Sequence, residues 1–228
     1  MLAQLRDNEG IQDWNLAYAA GYSFAMVVRS ALALSTDGAR VTAFVGNSLH
    51  GLITLCAARH LLDGESNVAV YLSDHSLYLT EGSKLLLSSL QQRGADIETW
   101  SGDWSKVSER VENSHNVLSG LFAERNAQLV ETFANNMNES AVPVHAVGFP
   151  VGVNPDTGLA DGVPLFASST LSLGIPLRGC IAGNDFLGRH YLCDLCFSRE
   201  IYSRFGYTEA PLFSEQPVVK LKASAGNA

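Results

Sequence analysis

Positive charge is scarce in this chain: 15 Lys and Arg stand against 23 Asp and Glu in 228 residues, a formal net charge of −8. Contact along a phosphate backbone needs a basic stripe or patch, so nucleic acid is excluded as a partner. No basic amphipathic stretch offers itself to an anionic membrane surface either. Long apolar runs are also missing, and no segment approaches the length of a membrane span. The opening "MLAQLRDNEGIQDW" lacks the apolar centre of a signal peptide, which makes the cytoplasm the expected location. Cysteine is rare, and four residues (Cys56, Cys180, Cys193, Cys196) do not make a disulfide framework in a chain of this size. Internal repeats, low-complexity tracts and Pro/Gly-rich linkers are absent. The expectation is one domain over residues 1–228, with the tail "KASAGNA" (222–228) frayed.

What is present is apolar and ordered in its spacing. Hydrophobic residues make up 46% of the chain and charged residues 17%, a globular balance with material for a substantial core. Residues 11–34 carry apolar side chains three and four apart and read as helix. "ARVTAFVG" (39–46) is a β-branched run ending in Gly, a buried strand. "LHGLITLCAARHLLDG" (49–64) is helix closed by Asp63-Gly64. The alternation continues through a strand at 67–73, a helix at 79–95 stopped by Gly94, strands at 96–100 and 116–122, a helix at 126–140 and a strand at 142–150. Late strands are expected at 167–175 and 190–198. Strands alternating with helices predict a three-layer αβα fold, a Rossmann-like, mostly parallel sheet with helices on both faces.

Several chemically suggestive residues have bland readings. "CDLC" (193–196), with His190 upstream, has the look of a metal site. In a strand, however, Cys193 and Cys196 point to opposite faces and cannot close one tetrahedral site, so buried thiols are expected. His145 lies in an apolar strand as a satisfied core histidine. His60 sits on a helix in a packing or surface role, and His75 and His115 fall in polar loops. Trp100 and Trp104 flank "SGD", expected to be a partly exposed turn that suits a partner.

In a parallel sheet ligands bind where loops leave the carboxyl ends of strands, which singles out residues 46–51, 119–126 and 148–158. The turn "GNSLHG" (46–51) aims backbone N–H groups toward the positive end of a helix, a geometry that suits an anion. It matches neither G-x-G-x-x-G nor the P-loop, which needs a Lys-Ser/Thr pair. Ser48 on this turn also admits a serine-hydrolase reading, with Asp156 or Asp161 and then His190 following in chain order. Against that, His50 stands where the nucleophile elbow wants Gly. The simpler role for Ser48 is as N-cap of the helix that follows.

Taken in order along the chain, "GIQDWNLAYAAG" (10–21), "GNSLHGLITLCAARHL" (46–61), "VLSGLFAERN" (117–126), "AVGFPVGVNPDTG" (146–158) and "TLSLGIPLRG" (170–179) resemble the motifs of the YjeF N-terminal domain family, the NAD(P)H-hydrate epimerases. The family's forms are G-x-G-N-N-G-G-D-G-L-x-A-A-R-H-L for the turn and D-A-L-F-G-T-G-L and D-I-P-S-G-L-x-x-D-T-G for the two later loops. Gly46, Gly51, Leu55 and "AARHL" (57–61) agree without a gap.

The resemblance implies a nucleotide cleft built from Gly46, Asn47, Ser48, Leu49, His50, Gly51, Ser119, Ala123, Glu124, Arg125 and Gly148. It implies NADP(H) or a related nucleotide as ligand and a homodimer as the assembly. In the family the Asn, Asp and Ser positions of these loops bind potassium and the hydrated nicotinamide nucleotide, and one carboxylate is the candidate for proton transfer. Here the paired Asn are Leu49 and His50, the following Gly and Asp are Leu52 and Ile53, and the Asp of the second loop is Ser119. Its Gly-Thr-Gly is Ala123-Glu124-Arg125. The Asp and Ser of the third loop are Gly148 and Val151. Leu and Val cannot ligate a hard cation, so no metal site is expected. The matched positions offer no acid or base except the newcomers His50 and Glu124. Read through the resemblance, the chain is expected to be a catalytically degenerate member acting as a nucleotide-binding or scaffold module. The alternatives are residual epimerase activity through His50 or Glu124, and the Ser48 hydrolase.

Overall fold

The computed structural model describes residues 11–32, 37–73, 81–122, 126–204, 206 and 212–222. Helix α1 (Asp13–Leu32) precedes strand β1 (Arg40–Val45), and the turn at residues 46–48 leads into α2 (Leu49–Asp63). Strand β2 (Asn67–Leu72), α3 (Glu81–Gln92) and β3 (Asp96–Thr99) follow, then the short α4 (Ser108–Glu112), β4 (Asn116–Gly120), α5 (Ala127–Glu139) and β5 (Val144–Val147). The last part holds β6 (Ser169–Leu173), α6 (Asn184–Leu187), β7 (Arg189–Cys193), α7 (Arg199–Arg204) and β8 (Val218–Lys220).

All eight strands join one sheet in the order β3-β2-β1-β4-β5-β6-β7-β8. Every pairing is parallel except β7 with β8, where Tyr191 stands opposite Lys220. Alternate residues of each strand feed different cores. Val41, Ala43 and Val45 of β1 pack with α1, α2 and α3, together with Ile201 of α7, while Phe44 faces Phe133 of α5 and Val111 of α4. Helices therefore cover both faces, as the alternating pattern requires, and the fold is a three-layer αβα sandwich of Rossmann type.

The structure departs from the sequence expectations at particular places. β7 ends at Cys193 instead of running to residue 198, because Cys196 adopts a left-handed φ of 55° that a strand cannot hold. Cys193 is buried and Cys196 exposed, so the expected pair of buried thiols is one buried and one surface thiol. Trp100 is not part of an exposed turn: it is 2% exposed, stands edge-on to Phe44, and donates from Nε1 to the Asp103 carbonyl. Only Trp104 of that pair keeps partial exposure. The tail from residue 223 and His75 lie outside the described residues. Among the described residues no helix is long and apolar enough to cross a membrane.

Candidate functional site

Between β1 and β4 the chain reverses its direction of travel across the sheet, and the loops leaving their carboxyl ends flank the crevice that this fold uses for ligands. Gly46 donates to the Gly120 carbonyl at 3.2 Å, tying the end of β1 to the end of β4. Asn47 is exposed and Ser48 sits at the N-cap position of α2 with extended backbone. The expected capping bond is not made by its side chain. Instead Ser48 Oγ donates to the Phe122 carbonyl at 3.1 Å, across the crevice.

His50, on the first turn of α2, lies over the third loop. Its ring packs on Phe122 with centroids 4.2 Å apart, and a Cβ built on Gly148 would come within 2.6 Å of Nε2 and closer still to Cδ2. Gly148 has φ of 85°, a region that favours glycine. Burial pushes the His50 pKa down to about 4, so the ring is neutral at physiological pH, and its Nδ1 is enclosed with no hydrogen-bond partner among the described residues. The residue as a whole keeps some exposed surface, so the ring is wedged at the crevice mouth rather than sunk in the core. A base held near 4 is a weak acceptor for a proton at neutral pH.

One turn further along α2, a Cβ on Gly120 would lie 2.9 Å from Gly51 Cα and the His50 carbonyl oxygen and would collide with Thr54 Oγ1. That close approach of β4 to the start of α2 leaves no room for a side chain at residue 120. Thr54 Oγ1 donates to the His50 carbonyl at 2.9 Å, fixing the start of the helix.

The hydrophobic replacements do not line an opening. Leu52 and Ile53 are buried in the α1–α2 core, Leu49 packs partly against it, and Val151 is buried in the opposite core. Ser119 is 3% exposed within β4. Potassium needs several oxygen ligands, and apolar side chains packed in two separate cores do not supply them, so this residue set does not fit the ion. The neighbouring positions Ala123, Glu124 and Arg125 lie outside the described residues.

The hydrolase alignment is corrected by topology. Ser48 follows β1, while His190 is in β7, four strand spacings away, or about 19 Å. His190 Nε2 is bonded to Ser172 Oγ at 2.8 Å, and Asp156 and Asp161 are exposed on the third loop. No relay can form across that distance. His145 is the satisfied core histidine expected, with Nδ1 2.7 Å from Ser169 Oγ and Nε2 2.6 Å from Asn116 Oδ1. His60 packs edge-on against Tyr18 and Tyr22, and His115 Nδ1 accepts from the Arg40 amide. Sequence reasoning did not foresee a groove of about 1050 Å³ near the starts of β1, β2 and β3. Its charges are largely engaged with protein groups, Arg110 with Asp96 and Arg40 Nε with the Asn113 carbonyl. The connection from β3 to β4 that borders it holds only a 3-10 turn (Trp104–Lys106) and the five-residue α4 among its described helical segments.

Comparison with known proteins sets this geometry in a family. The family described as "YjeF-related protein N-terminus" matches residues 14–179. An NAD(P)H-hydrate epimerase from Dehalogenimonas lykanthroporepellens is 27% identical over 195 residues, which span 82% of this chain and 74% of that protein. The crystal structure of yeast ynu0, YNL200c, superposes with a TM-score of 0.80 at 22% identity, covering 96% of this chain and 94% of the other, and this likeness shows the fold. The match over residues 14–179 takes in nearly all of α1 and the three loops at 46–51, 119–126 and 148–158, and the chain belongs to the YjeF-related N-terminal family.

Proposed function

We propose that this chain is a non-catalytic member of its family, which keeps the epimerase-like fold as an assembly module. One observation carries the reading: the side chains that stand at the family's polar site positions are packed into the protein's own structure. Leu52, Ile53 and Val151 belong to the two cores, and His50 lies over Gly148. Proton transfer needs a titratable group within reach of the substrate, and Ser119 and Gly148 hold none. His50 is the one candidate base among the described site residues, and its lowered pKa with an enclosed Nδ1 argues against that duty. A homodimer is the assembly proposed, by family resemblance, and sedimentation velocity tests it.

A second reading, a cleft that still holds NADP(H) or a related nucleotide without turnover, is favoured by the retained Gly46 and Gly51 at the start of the 15-residue α2. Thermal-shift titration with NADP⁺, NADPH and AMP, confirmed by calorimetry, separates the two. A ligand at 100 times its Kd adds about 2.7 kcal/mol to the folded state. The assembly reading predicts no shift with any of the three, and a saturable shift establishes the nucleotide reading in its place.

A further inference from the structure

We propose that His50 is the residue that closes the ligand crevice, by paired exchange of side-chain volume with Gly148, and that Thr54 and Gly120 form a second such pair one helical turn away. The inference rests on the functional reading above and adds the device that produces it.

The contacts are reciprocal. A Cβ at residue 148 would fall 2.6 Å from His50 Nε2, and one at residue 120 would meet Thr54 Oγ1 and come 2.9 Å from the His50 carbonyl oxygen. Both bulky partners are on α2 and both glycines are at the ends of strands, β4 for Gly120 and the residue after β5 for Gly148. In the motifs that this chain resembles, the two helix positions carry Asn and Gly and the two strand-end positions carry Asp and Ala. Volume has thus moved from the strand ends to the helix at both places. The helix side chains lean over the strand ends and take the space in which a carboxylate at residue 148 would stand. Phe122 hinders His50 from swinging aside, because its ring packs at a tilt against the imidazole and the crevice turn is held by the Ser48 bond to the Phe122 carbonyl. His50 therefore fills the space that any side chain at residue 148 would need. Restoring Asp at residue 148 alone drives its side chain into the imidazole.

The test is a pair of double-substitution cycles on the full chain, read as thermal midpoints. Gly148→Ala suffers backbone strain in every background because φ is 85°, but it meets the imidazole only when His50 is present. The proposal predicts a fall in Tm for Gly148→Ala at least twice as large in the native background as in His50→Ala. Should Gly148→Ala fail to accumulate as folded protein while His50→Ala/Gly148→Ala does so, that rescue is the same result in stronger form. In the second cycle Gly120→Ala meets the Gly51 and His50 backbone in either background, so Thr54→Gly is expected to relieve only the part of the loss that comes from Oγ1. Equal losses in both backgrounds of both cycles overturn the proposal. An independent readout is a pocket left by His50→Gly: free imidazole at millimolar concentration should raise the Tm of that variant and leave the native chain unchanged, and no response in the variant counts against closure by His50. Turnover by the native chain would overturn the functional reading, and nucleotide binding at residues 46–51 would overturn closure by His50 as well; neither alters the His50–Gly148 packing that the cycles read.

Discussion

At residue 145 a histidine is bonded on both ring nitrogens inside the sheet, with Asn116 and Ser169 as partners on the two neighbouring strands. Burial first, then the Arg189 charge, pushes its pKa down to about 4 from an ordinary value of 6.5. In the unfolded chain the same ring takes a proton below 6.5. The folded state therefore holds its full advantage above pH 6.5 and loses it as pH falls toward 4, by up to about 1.4 kcal/mol per pH unit. Urea unfolding at pH 7 and at pH 4.5 should show a loss of stability that is smaller by about 1–3 kcal/mol in His145→Gln. Equal losses in both proteins would mean that the ring is not held neutral. The role of this histidine was legible in the sequence, because an apolar strand on both sides leaves it only a satisfied or a destabilising fate. That of His50 was not, since its contact with Gly148 joins residues far apart in the chain, and no local pattern announces it.

Helix α1 crosses α2 at Gly21, where a Cβ would collide with Cys56 Cβ and lie 3.0 Å from the Ile53 carbonyl oxygen. Alanine is the better helix former by about 1 kcal/mol, while overpacking a tight contact costs about 1–3 kcal/mol. The contact wins, and Gly21→Ala is expected to lower Tm by roughly 2–6 °C. A rise in Tm would show that the two helices separate readily. The long elements were legible because α1, α2, α3 and α5 each run for 12 residues or more, enough turns for the 3.6-residue pattern to repeat. Helices α4, α6 and α7 and strand β8 have three to six residues, too few for any period to stand out. The end of β7 was misjudged for a related reason. "DLCFS" keeps a strand-like apolar run after the backbone has already turned at Asp194, whose carboxylate accepts from the Cys196 amide.

Across the whole molecule, the alternation of helices and strands dictates a parallel sheet, and the collinear motifs point to the crevice at the ends of β1 and β4. What the motifs could not reveal is that replacing polar side chains by Leu, Ile and Val did more than remove ligands. Leu52, Ile53 and Val151 are parts of two hydrophobic cores, and the proposed closure by His50 adds a loss of space to the loss of ligands. The account therefore forbids repair by a single substitution: Gly148→Asp alone is expected to lower Tm and to restore no activity, as differential scanning fluorimetry and a turnover assay would show. The most direct test of the central claim is the interconversion of the two epimers of hydrated NADPH by the native chain, followed chromatographically beside a buffer blank and an active epimerase. The account predicts a rate equal to the blank at any protein concentration. A rate that rises in proportion to protein and disappears in His50→Ala would contradict it, and would make this crevice a working active site.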